Sequence, residues 1–148
     1  MMDFTMDVCI LMDGSGIGDN KNYNACNSLM KRTVKEFEWF IALDDGRIIE
    51  NQYERKLGEG TFGHHWLIEM AKGDKIKYIK WREIDRGTRT ALIEAHFHKE
   101  DFKYVKTAAC TVCKTIVTHD PDYSFKICKI LQKRLGVSVK DSEECLEL

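Results

Sequence analysis

The chain alternates between two kinds of segment, and this alternation constrains its fold more than any other feature. Short apolar or β-branched runs that stop at turn residues are followed by longer stretches with apolar residues at helical spacing. The short runs are Val8-Cys9-Ile10-Leu11-Met12, Trp39 to Leu43, Lys75 to Trp81, Thr115 to Thr118 and Val137 to Val139. The first ends at Asp13-Gly14-Ser15-Gly16, the second at Asp44-Asp45-Gly46 and the fourth at His119-Asp120. Helical spacing runs through Asn20 to Phe37, Arg47 to Leu57, Phe62 to Met70, the stretch opened by Asp101, and Phe125 to Leu135, which stops at the C-cap residue Gly136. Glu83 to Thr90 is polar and reads as a loop, and Asp141-Ser142-Glu143-Glu144 starts a last helical turn.

Strands alternating with helices predict an α/β protein, a three-layer α/β/α sandwich around a mostly parallel central sheet. With 148 residues the expectation is one domain spanning 1–148. Hydrophobic residues make up 43% of the chain, which argues against a disordered chain. No apolar run approaches the roughly 18 residues of a membrane span. Asp3 and Asp7 precede the short run at Val8, unlike a secretory leader, so the chain reads as cytoplasmic. In that compartment the six cysteines are expected as free thiols. Cys110 and Cys113 form a CxxC, but no second CxxC or HxxxH completes four ligands. They read as small core residues at a helix end.

In open parallel sheets, ligands bind beyond the carboxyl ends of strands near a switch in strand order. Asp13 and Asp120 both fall at predicted carboxyl ends. Carboxylates gathered at one sheet edge repel one another unless a hard divalent cation is present, and such a cation polarises phosphoryl groups and activates water. The candidate metal ligands are Asp13, Glu50, Asp101, Asp120 and Asp122.

The carboxyl half resembles the PIN domain, a Mg²⁺-dependent ribonuclease fold found in many bacterial toxins. Lys99-Glu100-Asp101-Phe102-Lys103-Tyr104-Val105-Lys106-Thr107-Ala108 is similar to that family's acid opening a helix that ends in small residues. Thr115-Ile116-Val117-Thr118-His119-Asp120-Pro121-Asp122-Tyr123 is similar to its strand followed by T-x-D-x-D-F. Val8 to Asp13 resembles its first strand and leading aspartate, with Gly14-Ser15 where Thr-Asn usually follows. Ala42 to Tyr53 resembles a subgroup in which Glu precedes Tyr. Here Gln52 precedes Tyr53, and Glu50 is the acid carried into that role. The resemblance implies an endoribonuclease in which Asp13, Glu50, Asp101 and Asp120 hold one or two Mg²⁺ or Mn²⁺ ions, with Asp122 nearby. It also implies an RNA substrate, an antitoxin or other regulatory protein, and a homodimer. A catalytically decayed RNA- or protein-binding module of the same fold is the alternative, and His119 reads as an exposed loop residue.

Lys75, Lys77, Lys80, Arg82, Arg86 and Arg89, interleaved with Tyr78 and Trp81, form the candidate RNA-binding segment. Gly58-Glu59-Gly60-Thr61-Phe62-Gly63 matches the kinase glycine loop, but the strand lysine and later kinase motifs do not follow, so it reads as a loop between helices. Asp13-Gly14-Ser15 is similar to the D-x-D-G-T of haloacid-dehalogenase-type phosphatases, but Leu11 occupies the position of their nucleophilic aspartate.

Overall fold

The computed structural model describes all 148 residues. Its first strand, β1 (Met2–Met6), lies in the middle of the sheet and is buried on both faces, with Asp3, Phe4, Thr5 and Met6 all inaccessible. A charged residue is tolerated there because Asp3 is fully engaged. Its carboxylate accepts hydrogen bonds from the Val112 and Cys113 amides, each at 2.9 Å, and pairs with Lys77 at 3.3 Å. Burial alone would raise its pKa, but these donors outweigh it and the carboxyl titrates below its ordinary value.

Four further strands join β1: β2 (Trp39–Asp44), β3 (Ile76–Ile79), β4 (Thr115–Val117) and β5 (Ser138–Lys140). All pairs are parallel, and the order is β3-β2-β1-β4-β5. The chain therefore builds outward from β1 to β3, then returns to the other side of β1. Right-handed crossovers that reverse direction put their helices on opposite faces, which yields the three layers. The helices are α1 (Val8–Gly14), α2 (Tyr23–Lys35), α3 (Ile48–Leu57), α4 (Phe62–Lys72), α5 (Arg86–Glu94), α6 (Phe102–Ala109), α7 (Phe125–Leu135) and α8 (Ser142–Leu146). The core joins Phe4 and Met6 of β1 to Ile41 and Leu43 of β2 and to helix residues such as Leu29, Met30, Ile49, Tyr53 and Val105. No helix is long and apolar enough to cross a membrane.

The amino-terminal strand differs from the sequence expectation. Val8 to Met12 is helix α1, not a strand, and the strand precedes it. A short run apolar on all sides suits a buried helix as well as a buried strand. Asp7 decides the matter locally: its carboxylate accepts from the Cys9 amide at 3.2 Å and caps the helix. Glu83 to Thr90 is likewise not all loop, because Asp85 caps α5 by accepting from the Thr88 amide and hydroxyl at 2.9 and 2.7 Å. The glycine-rich stretch is a connection between α3 and α4, with Gly58 and Gly60 at positive φ. All six cysteines are free, and Cys110 and Cys113 are half-buried rather than core.

Candidate active site at the strand switch

The switch in strand order lies between β1 and β4, and beyond it three carboxylates lie within electrostatic reach of one another. Asp7 follows β1 directly and is 5% exposed. Its second oxygen accepts from the Thr118 hydroxyl at 2.8 Å. Thr118 follows β4, and the same hydroxyl accepts from the Asp120 amide at 3.0 Å. One side chain thus ties the ends of both strands together. Asp120 in turn accepts from the Asp122 amide at 2.9 Å, which closes the turn around Pro121. Asp101 ends a single 3₁₀ turn (Lys99–Asp101) at the start of α6, and no hydrogen bond reaches its carboxylate.

The three acids act on one another electrostatically. Burial raises the Asp7 pKa, and Asp120 adds to the rise against the opposing hydrogen bonds from Thr118 and Cys9. Burial, then the charges of Asp7 and Asp120, push Asp101 from 3.8 to about 6, with partial relief from Lys103 and His98. The Tyr123 hydroxyl is buried without a hydrogen-bond partner. Its pKa is raised well above the ordinary value by burial and then by Asp101, Asp7 and Asp120, which places it among the same carboxylates. A buried hydroxyl without a partner is costly in a folded protein and is a feature of sites that await one. The thiol of Cys9, 3.6 Å from the Thr118 hydroxyl, is raised by burial and by Asp7, so it is held as a thiol and not as a nucleophile.

Two tyrosines connect this corner to α3. Tyr104 on α6 accepts from the Val8 amide at 3.1 Å and donates to Gln52 Oε1 at 2.5 Å. Tyr53 donates to the Met6 carbonyl at the end of β1. Gln52 is therefore the α3 side chain linked to the acid corner. Glu50 lies two residues earlier, about 200° around the helix. It accepts from the Tyr78 hydroxyl at 2.6 Å and pairs with Arg47 at 3.5 Å, at the β3 side of the sheet. Glu50 is thus not brought to the acids.

Asp13 is not there either. It lies inside α1 rather than at a strand end, and its carboxylate accepts from the Asp19 amide at 2.7 Å and Asn22 Nδ2 at 3.2 Å. Its work is to pin the loop between α1 and α2. With no strand leading into Asp13-Gly14-Ser15, the phosphatase-like loop does not form. Asp122 is exposed at the rim, and His119 is half-buried against Ser142 of α8 at 2.7 Å rather than a free loop residue. No three His, Cys, Asp or Glu side chains are grouped so as to hold a metal ion, so the three acids sense one another's charge without closing to ligand distance.

The candidate RNA-binding segment is not one surface. Lys75 is buried, and its ammonium donates to the Val34 and Glu36 carbonyls at the end of α2. Lys77 serves Asp3. Tyr78 and Trp81 spend their polar atoms on Glu50 and Thr107. Lys80, Arg82 and Arg86 are exposed, and Arg89 lies over the Phe102 ring at 4.9 Å.

Asp7, Tyr104, Thr118 and Tyr123 were not singled out in the sequence, and Gln52 was noted only as standing in the place of an acid. The available signal was Asp7 itself, an N-cap residue standing directly before an apolar run. Compared with models of known protein families the chain matches none, and comparison with curated proteins found no match either.

Proposed function

We propose that the protein is a metal-dependent endoribonuclease of the PIN type that cleaves RNA phosphodiester bonds at Asp7, Asp101 and Asp120. The observation that carries this reading is the meeting of carboxylates from three separate segments at the strand switch, beside the partnerless buried hydroxyl of Tyr123. Asp7 takes the role of leading aspartate that the sequence suggested for Asp13. The donor set suits a hard cation such as Mg²⁺ or Mn²⁺, since all three groups are carboxylates and burial, with the charges of the other two, leaves Asp101 half-protonated near pH 6. Asp7, Asp101 and Asp120 would hold the cation, which when bound polarises a phosphoryl group and makes water more acidic.

The chain's own groups do the rest. Thr118 and the Cys9 amide fix the orientation of Asp7. Without a cation Asp101 titrates at about 6, so a proton competes with the metal there and binding of the cation would release it. The buried Tyr123 hydroxyl is a donor left unused beside the acids. The same reading makes the cytoplasm the compartment. It brings with it a toxin or phage-defence role, a neutralising antitoxin and a homodimer.

Two observations favour a second reading, a non-catalytic RNA- or protein-binding module of the same fold. An amide, Gln52, is the α3 side chain linked to the acid corner through Tyr104, and no side-chain group is arranged to hold a metal. Cleavage of labelled RNA in Mg²⁺, Mn²⁺ or EDTA decides between them. Metal-dependent cleavage by the parent and by Asp13→Asn, with none by the Asp101→Asn, Asp120→Asn double variant, is expected. No cleavage of RNA or DNA, with no metal-induced thermal shift, would reject the nuclease and favour the second reading.

A further inference from the structure

Three carboxylates at one corner repel a polyanion, so a chain that brings RNA to them needs positive charge close by. A cleft of about 370 Å³ supplies it, bounded by α3, the segment after β3, α5 and the start of α6. Arg55, Arg89, Lys99, Lys103 and Lys106 line it against a single acid, Glu100. Of these cations only Lys106 forms an ion pair, at 3.8 Å to the largely exposed Glu83. The chain as a whole has a net charge of −1, so this is a local excess.

Three of the cations are held in place by aromatic rings. Arg89 lies over Phe102 at 4.9 Å and Lys106 over Trp81 at 5.0 Å. Trp81 is itself fixed by its N–H donation to Thr107 at 2.8 Å. Lys103 lies over the Tyr104 ring at 5.4 Å, and its charge also lowers the pKa of Asp101. Lys103 thus belongs both to the cleft and to the border of the acid corner, and the two features adjoin.

We propose that this cleft holds consecutive phosphates of a single-stranded RNA and leads one phosphodiester to the acid corner. The proposal rests on the reading of that corner as a phosphodiester-cleaving site. A cleft near the low end of the usual ligand-pocket range, roughly 300–1,000 Å³, has room for a nucleotide unit but not for a duplex. Its lining is mostly cationic, so recognition falls on the backbone and is largely independent of base sequence.

The test is fluorescence anisotropy in EDTA, so that binding is read without turnover. The probe is a labelled oligouridylate of about 12 nucleotides, with duplex RNA, ADP and pyrophosphate as competitors. The parent is expected to bind at about 50 mM salt with a log–log salt slope of roughly −2 to −3, the value for three or four neutralised phosphates on a single strand. Arg55→Gln, Lys99→Gln, Lys103→Gln together are expected to weaken binding at least about tenfold and flatten the slope by about two. A control losing the same charge at exposed positions elsewhere, Lys31→Gln, Lys35→Gln, Lys129→Gln, is expected to bind like the parent. The Asp101→Asn, Asp120→Asn variant is expected to bind at least as tightly as the parent.

Equal weakening by both triple variants would overturn the proposal, as would preference for duplex RNA or absence of oligouridylate binding by the parent. Displacement by ADP or pyrophosphate at concentrations far below those of the oligonucleotide would also overturn it, in favour of a free-nucleotide site. The parent's salt slope and the duplex comparison do not depend on any variant folding. Binding as expected without cleavage would reject the nuclease reading alone and leave the cleft assigned.

Discussion

Replacing Asp101 with Asn is expected to stabilise the protein near neutral pH. The Asp101 carboxylate is half-buried, accepts no hydrogen bond and faces two other acids. Asn keeps its size and removes the charge. The folded protein raises this carboxyl from 3.8 to about 6, which at roughly 1.4 kcal/mol per pH unit sets a ceiling of about 3 kcal/mol. The group is partly open to water, and screening reduces the expected gain to about 1–1.5 kcal/mol. For a chain of this size that is a rise in Tm of about 2–6 °C.

The pH dependence gives the prediction its sign. A raised folded pKa means the folded state binds the proton more tightly than the unfolded one, so the contribution of Asp101 to stability is fully present below about pH 4. It is lost as pH rises through about 6. Asn does not titrate, so the variant's advantage should appear across that window and vanish at pH 4. Calorimetric melting of parent and variant at pH 4, 5, 6 and 7, in low salt with EDTA, reads this directly. A variant less stable than the parent at pH 7, or an advantage equally large at pH 4, would refute the electrostatic account of the acid corner.

Tyr104→Phe removes the acceptor of the buried Val8 amide and the donor to Gln52. It should cost about 1–3 kcal/mol in chemical denaturation, with an unchanged denaturant slope. Gln52→Glu keeps the oxygen that accepts from Tyr104 and adds a fourth acid at the corner. It should lower Tm in EDTA and enlarge the upward thermal shift produced by Mg²⁺ or Mn²⁺, and an unchanged metal response would remove Gln52 from the site.

Some of this molecule was legible residue by residue. Trp39 to Leu43 ending at a turn, the helical spacing of Phe125 to Leu135 before Gly136, and Thr118-His119-Asp120 after a β-branched run all act within a few residues. The structure bears them out as β2, α7 with a left-handed C-cap at Gly136, and β4. The amino-terminal strand was not legible in this way. Val8 to Met12 hides its apolar side chains equally well as helix or strand, while Met2–Met6 carries Asp3 and Thr5, which read as polar.

Helical phase was the second obstacle. Whether Glu50 or Gln52 meets the acids depends on how α3 is rotated against the sheet, and Asp44 sets that rotation by accepting from the Ile48 and Ile49 amides at 2.9 and 2.8 Å. Lys75 shows the same limit for charge. A basic residue in a basic stretch reads as surface, yet its ammonium closes the end of α2. By itself, then, the sequence determined the α/β alternation, most helix ends and the placing of Asp101 and Asp120, because periodicity and capping are local. Only the tertiary structure decided that Asp7 and not Asp13 joins them, that Glu50 stays away, and that five cations from three helices and a 3₁₀ turn line one cleft. Those outcomes depend on strand order and on groups far apart in the chain meeting across the sheet.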